Sequence, residues 1–222
     1  MDKRFKTVRQ AGTTLALAFA ALTISTAGGG AAERVASLYA GQPGERVLYA
    51  SVGDATRAPI GWVEFCVEYK RECATKASAP RDIVLTEKTW SDLVKVNNWV
   101  NDSIKAITDV EHWGVVERWN MGEDGYGDCE DYALLKRKML MQAGWPREAL
   151  LMTVVRDKKG EGHAVLTVKT NRGEFILDNQ EAEVLDWTRT GYKFVKRQSQ
   201  NDQNAWVGLG EPRSAPATVS AR

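Results

Sequence analysis

Apolar and polar positions change period along this chain. From Thr89 to Thr108, Leu93, Val96, Val100, Ile104 and Ile107 recur every three or four residues, which predicts a helix with one buried face. Thr89 with Asp92 reads as its capping box, with the shorter acid. Asn97, Asn98, Asn101 and Asp102 fall on its other faces and are expected in solvent. A second helical pattern runs from Tyr132 to Leu140 and stops at Gly144 and Pro146. Past Pro146 the period shortens. Leu150 to Val155, His163 to Lys169 and Glu174 to Asp178 read as strands, joined by turns at 157–162 and 171–173. Three strands in a row make an antiparallel meander, and Tyr192 to Lys196 suits a short fourth. Upstream, Val63, Phe65, Val67 and Tyr69 alternate as in a strand, though the cysteines there also suit an irregular cross-linked segment. Asp109 to Gly114 reads as a loop. Helices first and strands afterwards predict an α+β fold, its helices packed on an antiparallel sheet.

The 222 residues suffice for one domain with a real core, and no internal repeat is visible. The first residues carry a different signal. Lys3, Arg4, Lys6 and Arg9 precede an apolar run from Ala11 to Ile24, and small residues follow from Ser25 to Ala32. This is the pattern of a secretory signal peptide, with cleavage expected after Ala27 or Ala32. The uncharged run from Gln10 to Ala32 is long enough to span a bilayer, but its Gly-, Ser- and Thr-rich end favours cleavage over anchoring. No stable membrane insertion is expected afterwards. Residues 1–27 are thus read as signal peptide, 28–58 as a flexible leader, 59–210 as the folded domain and 211–222 as a disordered tail. Loss of residues 1–27 removes four positive charges and Asp2, taking the net charge from +1 to −2. With no basic run outside the N-terminus, a nucleic-acid partner is not expected.

An exported chain meets an oxidising compartment, which changes how its three cysteines read. Cys66 and Cys73 lie in one short segment and are expected to pair, leaving Cys129 as the free thiol. So short a loop should stabilise the fold by about 2 kcal/mol or less.

Cys129 lies within Gly127-Asp128-Cys129-Glu130-Asp131-Tyr132, after a glycine-rich turn and at the first position of the second helix. Asp128 suits the N-cap, and unpaired N–H groups at a helix start favour a thiolate. A nucleophile there needs a base, and the chain has two histidines. His163 begins a strand. If Asn171-Arg172 is a two-residue hairpin loop, Asp178 falls opposite Val165, on the same sheet face as His163 and diagonal to it, about 7–8 Å away at Cα. The three residues then divide the work of a triad. Cys129 attacks, His163 carries the proton, Asp178 orients the imidazole, and N–H groups at the helix start hold the oxyanion. His112, in a polar stretch before Trp113, is read as structural or substrate-facing. Trp99, Trp113, Trp119 and Trp206 are expected mainly in core packing.

These blocks, together with Gly162-His163-Ala164-Val165-Leu166 and Ile176-Leu177-Asp178-Asn179, resemble the bacterial transglutaminase-like cysteine peptidases. Pro59-Ile60-Gly61 and Phe65-Cys66 are similar to the rhizobial-type branch, and the resemblance spans roughly residues 59 to 207. It implies a papain-like, transglutaminase-like fold with Cys129, His163 and Asp178 as the triad. Some members of the family are periplasmic, calcium-dependent proteases that clip large surface adhesins near the N-terminal end. The resemblance therefore implies a protein or peptide substrate in the periplasm or at the cell surface, and a regulatory membrane receptor. A transglutaminase or a peptidoglycan amide-cleaving acyl transferase would share the thioester intermediate, and a non-enzymatic binding module would share the fold.

Asp128 and Glu130 flank the thiol, and two carboxylates oppose thiolate formation. They either serve the helix as cap and first-turn acids or ligate a hard cation such as Ca²⁺, with Asp124 and Glu117 as further candidate ligands. The resemblance supports calcium through the same two flanking acids. The triad chemistry itself requires no cofactor. Three Cys and two His in this spacing offer no zinc site.

Overall fold

Strand β1 (Val52–Thr56) is the first strand among the described residues and lies inside the stretch expected to be leader. It pairs antiparallel with the last strand, β9 (Trp206–Leu209), so residues before Pro59 belong to the sheet. The computed structural model describes residues 48–74 and 79–210. The expected signal peptide, the expected leader as far as residue 47 and the expected tail lie outside the described residues.

Helix α1 (Ile60–Glu68) replaces the expected strand. The buried positions are Gly61, Trp62 and Phe65, which follow helical spacing, while Val63 and Val67 of the apparent alternation face solvent. Trp62 packs on Phe65, Trp119 and Trp206 with ring centroids 5.3–6.3 Å apart, forming an aromatic nucleus at one end of the core. Gly61 is required there, because a Cβ would lie 2.3 Å from the Trp119 indole. A short helix α2 (Lys70–Cys73) follows, and the Cys66–Cys73 disulfide staples it to α1.

The long helix α3 (Glu87–Ser103) starts and ends earlier than expected. Its cap is Thr86, whose hydroxyl accepts from the Thr89 N–H while Thr89 Oγ1 accepts from the Thr86 N–H. Leu93 and Val100 form its buried face, and Ile104 is buried just past its end. Asn97 is fully buried and Asn101 half-buried, contrary to expectation, because both donate to carbonyls on the far side of the fold. The stretch expected to be a loop contains helix α4 (Asp109–Trp113), capped by Thr108 and Glu111 and ended by Gly114 in the left-handed region.

Strands β2 (Lys105–Ala106) and β3 (Tyr126–Gly127) pair in parallel, bringing the segment after α3 alongside the start of helix α5 (Cys129–Gln142). The main sheet then follows: β4 (Leu150–Arg156), β5 (Gly162–Thr170), β6 (Gly173–Leu177), β7 (Leu185–Asp186) and β8 (Lys193–Gln198). Its spatial order is β1-β9-β8-β4-β5-β6-β7, all antiparallel, and α5 packs across β5. The expected meander is β4-β5-β6, and the hairpin loop is Asn171-Arg172, since Thr170 pairs with Gly173. This is the expected α+β architecture, with helices packed on an antiparallel sheet.

Candidate active site

The start of α5 is fixed by a carboxylate rather than by its cap alone. Asp131 Oδ2 accepts from the Asp128 N–H at 3.3 Å, while the Asp131 carboxylate also takes the Asn120 N–H and side-chain amide at 2.7 and 3.0 Å. Gly127 makes room for this, because a Cβ there would sit 2.5 Å from Asp131 Oδ2. Cys129 thus occupies the first turn with its sulfur turned to the sheet, where Sγ accepts the Ala164 N–H at 3.3 Å. On its other side Sγ lies 3.1 Å from Glu130 Oε2.

Ala164 follows His163, so the bond that seats the sulfur comes from the strand that carries the imidazole. His163 is buried, and its Nε2 lies 2.8 Å from Asp178 Oδ1. With the Nε2 proton donated to the carboxylate, Nδ1 is left with its lone pair, facing the Gln180 amide at 3.4 Å. The hairpin register places Asp178 one residue past the Leu166–Leu177 pair, on the face shared with His163. Three more contacts hold Asp178. Gln180 N–H donates to Oδ1, the Tyr192 hydroxyl donates to Oδ2 at 2.6 Å, and Asn101 of α3 donates to the backbone carbonyl at 2.9 Å. Tyr192 also stands edge-on to the His163 ring, 5.7 Å away. Nothing in the local pattern around Tyr192 signals this contact. Its place before β8, itself visible as a short strand, is the only hint.

A cleft of about 320 Å³ opens above these groups. Ala106, Ile107, Thr108 and Glu111 form one wall, with Gly162, Asn179 and Gln180 among the opposing residues and Cys129 and His163 also lining it. The first wall is held by backbone bonds from Lys105 to Gly125 and from Ile107 to Gly127. His112 lies outside this lining and pairs with Asp124 at 2.9 Å, in keeping with a structural role.

The electrostatics run against the simplest expectation for the thiol. Burial pushes Cys129 well above the ordinary thiol range, and the Glu130 carboxyl beside it adds to the shift. Glu130 is itself pushed well up by burial and then by Asp128. The favourable helix start does not outweigh these effects, so the resting thiol keeps its proton. Asp178 behaves oppositely. Burial would raise its carboxyl, but the bonds from His163, Tyr192 and Gln180 hold it below the usual range.

Two sets of potential ligands surround the helix start. One is Asp128, Cys129 and Glu130; the other is Asp109, Asp128 and Asp131, each with ligand atoms within 4.8 Å of one another. The second set suits a hard cation better, because all three ligands are carboxylate oxygens. Burial raises Asp131 to about 8 and also raises Asp109, while Asp128 Oδ1 is buried with no hydrogen-bond partner among the described residues. The expected ligands Asp128 and Glu130 both belong to the first set, while the second joins Asp128 to Asp109 and Asp131, which α4 and the first turn of α5 bring together. Of the other expected ligands, Asp124 is engaged by His112 and Glu117 by the Trp119 indole N–H.

A family model of bacterial transglutaminase-like cysteine proteinases matches residues 52–214. No curated protein matches the chain. Among solved structures, the chain is similar to LapG of Legionella pneumophila. The calcium-bound form is 28% identical with a TM-score of 0.46, over 57% of this chain and 74% of that one. The EGTA-treated form is 26% identical with a TM-score of 0.44, over 56% and 69%.

Proposed function

Since the chain belongs to the bacterial transglutaminase-like cysteine proteinases and is a cysteine protease of that kind, we propose that Cys129, His163 and Asp178 form its catalytic triad and that it cleaves a protein substrate through an acyl-thioester. The observation that carries this reading is the hydrogen bond between His163 Nε2 and Asp178 Oδ1 beside a cysteine at a helix start. Asp178 fixes the tautomer in which Nδ1 is free to act as base. His163 Nδ1 takes the thiol proton as the Gln180 amide gives way, and Sγ attacks the scissile carbonyl carbon. The carbonyl oxygen becomes an oxyanion, stabilised by N–H groups at the start of α5. Collapse breaks the C–N bond, the amine leaves with the proton from His163, and Cys129 is left acylated. Water then gives a proton to His163, attacks the thioester and releases the acid, restoring the thiol.

The donor set at Asp109, Asp128 and Asp131 fits a calcium ion, which would supply positive charge beside the carboxylates that oppose thiolate formation. Glu130, buried with one oxygen unpartnered among the described residues, then remains free to contact the thiol. The substrate is read as a periplasmic or cell-surface protein from the signal-peptide pattern of residues 1–27. Among the described residues no helix is long and apolar enough to cross a membrane.

Iodoacetamide labelling of the mature protein, mapped by mass spectrometry near neutral pH, tests the reading. Labelling confined to Cys129 and accelerated by Ca²⁺ is the expected result. Cys129→Ala should keep the fold and lower peptide cleavage by about 10⁴-fold or more. Retained cleavage would remove the nucleophile assignment, and incorporation of an added amine in preference to water would replace hydrolysis with acyl transfer.

A further inference from the structure

The triad reading needs an imidazole that can be reached, and the resting ring is sealed. The His163 side chain is only 1% exposed. Asp178 covers its Nε2, the Tyr192 ring stands edge-on to it, and the Gln180 amide nitrogen faces Nδ1 at 3.4 Å. Nδ1 is the atom that would take the thiol proton and pass it to the leaving amine, and neither step can run while the amide covers it. The Cys129 sulfur is engaged elsewhere, by the Ala164 N–H and the Glu130 carboxyl.

Of the three covers, Gln180 is the one free to leave. Asp178 is buried, and the Tyr192 hydroxyl is tied to it at 2.6 Å. Gln180 is exposed, sits in the bend between β6 and β7 and lines the cleft. Its backbone N–H donates to Asp178 Oδ1 at 2.9 Å. The side chain can therefore rotate into the cleft while its own main chain and the carboxylate stay in place. A primary amide nitrogen only donates, so at Nδ1 it occupies the lone pair that the thiol proton requires. At 3.4 Å this contact is longer than the usual N–H bond, and it opens at small cost.

We propose that Gln180 is a positioning residue that latches the base: its side-chain amide caps His163 Nδ1 in the resting enzyme and must swing into the cleft before the imidazole can take the Cys129 proton. The inference rests on the triad reading and adds a regulatory step to the same site. The latch acts on the base and leaves the sulfur where it is, so its effect on thiol chemistry has to pass through His163.

The test uses iodoacetamide on the mature protein at pH 7 with saturating Ca²⁺, and reads the labelling rate of Cys129 by mass spectrometry. In that reaction the sulfur bonds to the methylene carbon, iodide leaves and the thiol proton goes to His163. Gln180→Met keeps the length of the side chain without a donor, and Gln180→Ala removes the cover altogether. Both should label Cys129 faster than the wild type, by about 3-fold or more, the worth of a weak neutral hydrogen bond. His163→Ala should slow labelling and abolish the acceleration, so that the double variant Gln180→Met with His163→Ala labels like His163→Ala alone. His163→Gln serves in its place if the alanine variant does not fold. If His163→Ala slows labelling but neither Gln180 variant speeds it, the latch is overturned and the base assignment stands. If the acceleration survives without the imidazole, Gln180 merely shades the sulfur, and the latch is again overturned. If His163→Ala slows neither the wild type nor Gln180→Met, the base assignment itself fails and the latch falls with it.

Discussion

Tyr192 shows how much of the proposed site depends on one residue outside the triad. Its hydroxyl occupies the Asp178 oxygen that His163 does not use, and its ring walls the imidazole. The two contributions separate by substitution. Tyr192→Phe removes a donor from the carboxylate and concentrates its charge on His163. The acidic limb of kcat/KM should move to higher pH, with a loss of about 10-fold from a charge-assisted hydrogen bond of about 1.5 kcal/mol. Tyr192→Ala also removes the wall and should lose more activity. If the phenylalanine variant keeps the wild-type pH profile, the hydroxyl has no part in setting the base. Asp178 also implies a stability effect of known sign. Its carboxyl is held below the usual range in the folded protein, so its contribution is present above about pH 4 and is lost as pH falls below that.

At the scale of elements, the hairpin was legible and the aromatic helix was not. A two-residue loop at Asn171-Arg172 fixes the pairing parity, so the shared face of His163 and Asp178 could be deduced before any coordinate was known. Local sequence dictates such a turn. Helix α1 failed because Val63, Phe65, Val67 and Tyr69 happen to alternate, while the stronger constraint is tertiary, the nesting of Trp62 and Phe65 among Trp119 and Trp206. The burial of Asn97 and Asn101 was hidden for a similar reason, since their partners lie 85 and 77 residues away in the chain. Gly61 allows a direct test of the α1 packing. Gly61→Ala adds a Cβ within 2.3 Å of the Trp119 ring and should destabilise the protein by about 1–3 kcal/mol in denaturant unfolding. Its own gain in helix propensity, about 1 kcal/mol, would leave the sign reversed only if the indole can shift freely.

The cluster of Asp109, Asp128 and Asp131 belongs to the molecule as a whole, because α4, the turn before α5 and α5 itself must all be in place to form it. Without a cation, Asp131 keeps its proton up to about pH 8 in the folded chain, whereas an unfolded aspartate releases it near pH 4. Its contribution to stability therefore falls as pH rises between those values. In EGTA the melting temperature should decline across that range, and Ca²⁺ should both raise it and flatten the decline. Equal curves with and without Ca²⁺ would remove the cation from the site. The position of β1 has a consequence of another kind. It forms one edge of the sheet, exposed along its length, and Val52 lies opposite Leu209 in the antiparallel ladder. Tension applied at residues 48 and 210 would open that ladder like a zipper, one bond at a time, instead of shearing all its bonds together. Stretched by these ends, the domain should give way first at a strand that carries none of the site, with the remaining sheet yielding in a separate, later event.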